Sequence, residues 1–438
     1  MPPASLRFSS KSNRTPESPI SYFMEQAIEN PSLISLAAGL VDSASLPVGP
    51  IAEAMQTLLS NPVSAKAALQ YGTTQGYTPL REQVLDHLGK LDGISARDLN
   101  LSTRDVVITT GSQQLLYILG ELLLDPGDIV LTEAPSYFVF HSVLAGTGVR
   151  VLAIPMDEEG MKIDALKTLL GDLERSGELA QVKLLYTVDY FQNPTGITLC
   201  RERRTELMTI LQRYQNQQRI LVLEDAAYRE LRYEGEEIPS LKSLDRDNSI
   251  VIYAGTFSKP CAPGLKTGYA LMPRDLIEPL VRLKGNHDFG SGNLAQYIIH
   301  QLLLSGAYSR HVEYLREVYR PKRQMMLDSL QEAFSDALEV SWTVPRGGIF
   351  VWLSLPPSVS TGGHSPFFRA AIREGVLYIP GEYGFVGENI EVENCHARLS
   401  FGDAKVDQIR EGIFRLRRAY DLCREANNEE RVLQMSMS

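Results

Sequence analysis

Cysteine is scarce in this chain: four occur in 438 residues, at positions 200, 261, 395 and 423. None stands in a CxxC pair or at another metal-ligand spacing, so reduced, idle thiols are expected and no metal. Positive charge is in deficit, with 43 Lys and Arg against 53 Asp and Glu and a net charge of −10. A nucleic-acid surface needs a basic stripe, which this balance argues against; the acidity mainly favours solubility. No apolar run approaches the ~18 residues of a membrane span. The opening MPPASLRFSSKSNRTPESP is polar and lacks the charged-then-apolar layout of a signal peptide. A GxxxxGK[ST] loop is also missing, so the acidic strand end in ILVLED does not read as a nucleotide site. The expectation is a cytoplasmic protein with no membrane or nucleic-acid partner.

A hydrophobic fraction of 44% and a charged fraction of 22% are those of an ordinary globular protein. The length exceeds one typical core, so two domains are expected. The first residues, rich in Pro, Ser, Asn and Thr, read as a flexible or docking arm. Up to about residue 300 short β-rich runs alternate with helical patterns: DVVITT, IVLTEAPSY, VRVLAIPMD, VKLLYTV, ILVLED, SIVIYAG and GYALMP. That alternation predicts an α/β domain with a mostly parallel sheet covered by helices on both faces. Beyond residue 300 the order of long helix, paired strands and final helix suggests a smaller α+β domain. The expected division is 1–50 for an arm and part of the small domain, 51–300 for the large domain and 301–438 for the small one.

In open α/β sheets ligands bind beyond the carboxyl ends of the strands, so the residues after each strand are the candidates. After VVITT, Gly111, Ser112 and Gln113 open a helix whose free N–H groups suit a phosphate, although any helix needs a start. Tyr137 follows IVLTEAPSY and could stack on a flat ring or fill the core. Asn193 precedes a Pro-Thr-Gly turn and reads equally as a turn residue. Asp225 ends a buried strand, with Tyr228 just after it; a buried carboxylate there needs a cation or strong donors unless it caps a helix. Lys259 sits in YAGTFSKPCAPGLKTGY between Thr256 and Ser258 on one side and a turn leading to Lys266 on the other. An amine shielded from water near other cations has a lowered pKa and is nucleophilic. A phosphorylated, flat, basic aldehyde reconciles these groups, and pyridoxal phosphate has that form.

With these residues in place the chain resembles the class I/II aminotransferases of pyridoxal-phosphate fold type I, within the group of kynurenine, 2-aminoadipate and aromatic aminotransferases. The likeness runs from about residue 20 to 425 and rests on QYG, TTGSQQ, APSY, FQNPTG, EDAAY, FSKPCAPGLKTGY, RGGIFVW and RLSFG, in that order. The resemblance implies pyridoxal 5'-phosphate as cofactor and Lys259 as the lysine that carries its aldehyde and moves the substrate proton. It implies Asp225 on the ring nitrogen, Tyr228 and Asn193 on the ring hydroxyl, and Tyr137 against the ring. Ser112, Gln113, Thr256, Ser258 and Lys266 would surround the phosphate, with Tyr71 reaching it from a second subunit of a homodimer. Arg398 would grip the substrate α-carboxylate, and Gly39 would lie over bound substrate. Two departures stand out: Lys266 replaces the family's usual arginine, and NHDFGSGNLAQ replaces its usual DLHTS-type segment.

The implied activity is transfer of an amino group from an aromatic, aliphatic or 2-aminoadipate-like L-amino acid to a 2-oxo acid such as 2-oxoglutarate. A lyase, decarboxylase or cyclase would share Lys259, Asp225 and Arg398, and differs in its products. A regulator with an aminotransferase-like ligand domain would need a basic DNA-binding segment before the YG motif. Only 70 residues precede Tyr71, and they include LAAGL, which belongs to the enzyme pattern.

Overall fold

The computed structural model describes residues 6–17, 19, 23, 29–30 and 32–436, with side chains up to residue 425. Fourteen strands occur among the described residues. They are β1 (Ile34–Ser35), β2 (Val106–Thr109), β3 (Ile129–Ala134), β4 (Arg150–Asp157), β5 (Gly160–Met161), β6 (Val182–Thr187) and β7 (Leu221–Asp225), followed by β8 (Val251–Thr256), β9 (Gly268–Leu271), β10 (Ser341–Trp342), β11 (Phe350–Ser354), β12 (Val376–Leu377), β13 (Ile379–Pro380) and β14 (His396–Ser400). Eight of them form one sheet in the order β2-β9-β8-β7-β6-β3-β4-β5. From β8 to β4 every pairing is parallel, whereas β9 runs antiparallel to both of its neighbours and β5 antiparallel to β4.

The apolar runs of these strands are continuous because both faces are covered, as a parallel sheet requires. Alternate residues divide between two cores. Ile129, Leu131, Leu185 and Val222 pack with the leucines of the helices Ile163–Ser176 and Arg201–Tyr214. Val130, Leu184, Leu223 and Ile252 pack with those of Gly111–Leu123 and with Phe140 and Leu144 of Phe138–Thr147. The helices Phe138–Thr147 and Ile163–Ser176 stop at Gly148 and Gly177, whose φ of 83° and 80° closes the last turn where a side chain would strain it.

A second sheet, β10-β11-β14-β13, is antiparallel throughout. The helix Ala307–Phe334 carries Pro321 in its interior, a position that costs about 3 kcal/mol in an isolated helix. Its buried residues, among them Tyr308, Leu315, Tyr319 and Leu330, hold it together against that cost. β1 joins β12 in parallel, which ties the segment just before Ala37–Leu40 to the second sheet's surroundings. Nearer the N-terminus, the short helix Ser10–Arg14 docks on the first domain's helices. Lys11 Nζ donates to Tyr117 Oη at 2.9 Å, and Arg14 Nη2 donates to the carbonyl of Gly146 at 3.1 Å. Among the described residues no helix is long and apolar enough to cross a membrane.

Candidate active site

The carboxyl ends of the parallel strands open on a cavity of about 380 Å³, roofed by residues 37–40 and by Ile379 and Arg398 of the second sheet. At one end lies the first turn of the helix Gly111–Leu123, with Ser112 and Gln113 facing the cavity. Gly111 has φ +72°, and a Cβ added there would meet nothing within 4 Å, so glycine supplies backbone conformation here rather than space. Gly268 does the opposite: its Cβ would lie 2.7 Å from the Gly111 carbonyl carbon, so only glycine lets β9 pass beneath the helix start. Beside that turn stand Thr256 and Ser258, whose hydroxyls are 3.0 Å apart, and Lys266. Unpaired first-turn N–H groups, hydroxyls and an ammonium make a cradle for an oxyanion.

The middle of the cavity carries polar side chains beside apolar ones. Tyr137, at the start of the helix after β3, and Val188, Asn193, Asp225 and Tyr228 line it. Asp225 is 4% exposed; it accepts from Tyr186 Oη at 3.0 Å and from the Ala227 N–H at 3.3 Å. Burial pushes its carboxyl up to about 6, and the two donors pull the other way. Tyr186 escapes a reading of the sequence, because it sits mid-strand in VKLLYTV like any core aromatic. The one signal is register: Tyr186 pairs with Leu223, which places Asp225 two residues on along the same face of the neighbouring strand.

Lys259 follows β8. Its half-buried side chain brings Nζ to the Gly39 carbonyl, to which it donates at 2.7 Å, and 5.9 Å from the Tyr228 ring centroid. Among the described residues no carboxylate pairs with it. Burial, then the charges of Arg398 and Lys266, push the amine down to about 8. An ordinary loop lysine would be solvated and charged; this one is partly neutral near physiological pH.

Arg398 lies on β14, 2% exposed. Nη1 donates to Asn193 Oδ1 at 2.9 Å, Nη2 donates to the Ala37 carbonyl at 2.6 Å, and Nε has no partner. Its guanidinium carbon stands 4.4 Å from the Phe350 ring centroid and 5.6 Å from that of Phe138. Burial pushes it down to about 10. Among the described residues no carboxylate pairs with it, so it is not held there in a strand-edge ion pair. A buried cation held by two neutral oxygens and two aromatic faces suits a ligand's carboxylate.

Of the sequence candidates, Gly39, Ser112, Gln113, Tyr137, Asn193, Asp225, Tyr228, Thr256, Ser258, Lys259, Lys266 and Arg398 line this one cavity. Tyr71 does not. It is 83% exposed on the surface, its ring 5.9 Å edge-on from that of Phe289. The sequence reading also missed Phe23 and Ile379, apolar residues of the cavity wall that carry no motif of their own, and Leu40, which follows Gly39 in LAAGL.

The model of the family "Aminotransferase class I and II" matches residues 31–413. The chain is 36% identical over 389 residues to aromatic-amino-acid aminotransferase 1 of Thermococcus litoralis, covering 89% of this chain and 88% of that protein. It is 36% identical over 397 residues to the 2-aminoadipate transaminase of Thermus thermophilus, covering 89% and 91%. The crystal structure of Pyrococcus horikoshii kynurenine aminotransferase superposes with a TM-score of 0.85 at 35% identity, covering 94% of this chain and 96% of that one. Twelve motif residues around one cavity and a family match across most of the length agree, and the chain belongs to the class I and II aminotransferase family.

Proposed function

We propose that the cavity binds pyridoxal 5'-phosphate and serves transfer of an amino group from an L-amino acid, aromatic, aliphatic or 2-aminoadipate-like, to a 2-oxo acid such as 2-oxoglutarate. The observation that carries this reading is a half-buried, partly neutral lysine amine sharing one cavity with a buried carboxylate and a buried arginine that has no acidic partner among the described residues. The residues fit the cofactor on their own chemistry. Ser112, Gln113, Thr256, Ser258 and Lys266 would hold its phosphate, Asp225 its ring nitrogen, Tyr228 and Asn193 its ring hydroxyl, and Tyr137 a ring face. When bound, pyridoxal phosphate supplies an aldehyde that exchanges amino groups and a ring that stores the electron pair left when the Cα–H bond breaks.

The chain's own residues do the rest. Arg398 binds the substrate α-carboxylate through its guanidinium and so fixes which bond at Cα faces the ring. Lys259 Nζ, once free, would take the proton from Cα and return it to the carbon that the cofactor contributes, across the intervening nitrogen. Gly39, whose carbonyl accepts from Nζ, lies over the site and helps exclude water. Phe23, Leu40 and Ile379 give the substrate side chain an apolar wall, and no arginine besides Arg398 lines the cavity among the described residues, which favours aromatic and aliphatic donors.

The working unit in this reading is a homodimer. Tyr71, Phe289 and Leu69 are large apolar side chains 83%, 70% and 68% exposed, a pattern that suits burial against a second copy. Tyr71 would then serve the second copy's phosphate, and a mixture of Tyr71→Ala and Lys259→Ala chains would regain part of the activity that each lacks.

Donor amino acid added without acceptor should convert the bound aldehyde to the amine form once, stoichiometrically, and a 2-oxo acid should restore it. Continuous release of ammonia or CO₂ from donor alone would instead favour the lyase or decarboxylase reading.

A further inference from the structure

Glu133 is the penultimate residue of β3 and is 1% exposed, yet no cation pairs with it among the described residues. Three neutral donors satisfy it. One oxygen accepts from Thr187 Oγ1 at 2.7 Å; the other accepts from the Val188 N–H at 3.0 Å and from Gln192 Nε2 at 2.7 Å. Burying a carboxylate is costly, and an apolar side chain would fill a purely structural position at less cost. Burial pushes this one up to about 7, while its donors pull it down.

Gln192 is the hub of the turn that follows β6. Its side-chain oxygen accepts from Thr195 Oγ1 at 2.6 Å, its N–H donates to the Ile197 carbonyl, and its own carbonyl accepts from the Gly196 N–H at 2.7 Å. Gln192 Nε2 also reaches the Pro135 carbonyl at 3.2 Å, at the base of the loop that carries Tyr137. The next residue, Asn193, accepts from Arg398 Nη1 at 2.9 Å and lines the cavity together with Tyr228. One carboxylate thus reaches, through one amide, the loops on both sides of the cavity.

We propose that Glu133 is a positioning residue for the substrate-carboxylate end of the site: by fixing Gln192 it sets the Asn193 amide, and through it the Arg398 guanidinium. The inference rests on Arg398 as the carboxylate-binding group. Glu133 touches neither substrate nor cofactor; Asn193 would also meet the ring hydroxyl, but the oxyanion cradle on other loops is the main hold on the cofactor, so cofactor content should stay nearly full.

The test compares holoenzymes carrying Glu133→Leu, Glu133→Gln, Gln192→Met and Arg398→Met with the native protein. Calorimetry measures binding of 3-phenylpropionate, an unreactive monocarboxylate; absorbance gives cofactor content and melting gives stability. Glu133→Leu and Gln192→Met should each weaken 3-phenylpropionate by about ten-fold at nearly full cofactor content, and the double variant should be no worse than either single one. Glu133→Gln keeps an acceptor for Gln192 and Val188, with the Thr187 hydroxyl turning to accept from the new amide, and should restore most of the affinity. If Glu133→Leu does not fold, Gln192→Met decides.

Native affinity in loaded Gln192→Met, whatever its melting temperature, would overturn the proposal and leave Arg398's role intact. So would a loss of cofactor in parallel with affinity. If Arg398→Met binds 3-phenylpropionate as tightly as the native protein, the reading of Arg398 fails and this proposal falls with it.

Discussion

The two ends of the cavity are built differently. The oxyanion cradle comes from the ends of two strands of one sheet, separated only by β9: Gly111–Gln113 after β2, and Thr256 at the end of β8 with Ser258 and Lys266 beyond it. The Arg398 end is gathered from segments far apart in the chain, Asn193 lying 205 residues away and Ala37 361. The first is an automatic product of an α/β sheet, where every strand end delivers its loop to the same edge. The second exists only when two sheets meet. The cradle should therefore tolerate changes at the interface, and the Arg398 end should be lost by a small displacement that leaves the cradle untouched.

The largest expected effect lies between the two ends. Lys259→Ala removes the base that moves the Cα proton, and turnover should fall by about 10²–10⁴-fold or more. Borohydride treatment of the native protein should leave an adduct that mass spectrometry places on residue 259. An adduct on Lys266 would exchange the roles of the two lysines.

A smaller effect probes the separation directly. Arg398→Lys keeps the charge and loses the planar fork, so KM should rise and kcat fall together, by about 10²-fold in kcat/KM. Cofactor content should stay full. If the cofactor leaves as well, the two ends form one cooperative structure and are not separable.

The smallest effect crosses from one end to the amine. Lys259 is held down at about 8 by burial and by two like charges, Arg398 and Lys266. A like charge disfavours the ammonium form, so Lys266→Met should raise the Lys259 pKa. The rate of cofactor uptake at saturating pyridoxal phosphate, followed by absorbance, should climb to its plateau at a higher pH than in the native protein. A curve that stays put or moves down would mean that Lys266 does not face the amine electrostatically.

The motif residues were legible because each sits where local rules operate. GSQQ after VVITT, Asp225 after ILVLE and Lys259 after SIVIYAGTFS follow apolar strands directly, and strand, loop and helix are short-range patterns. Tyr186 and Glu133 were not legible, since each lies inside a β-rich run and gains its role from a neighbouring strand or turn.

The sequence by itself determined an α/β sheet flanked by helices, the order of its strand-end loops and the family to which they belong, because hydrophobic spacing and strand-end motifs are written within a few residues of one another. The tertiary structure alone decided that Arg398 has no acidic partner among the described residues, that Tyr186 donates to Asp225, and that Glu133 faces the turn before Asn193. Those facts depend on strand register and on the packing of two sheets, and burial against distant segments sets both.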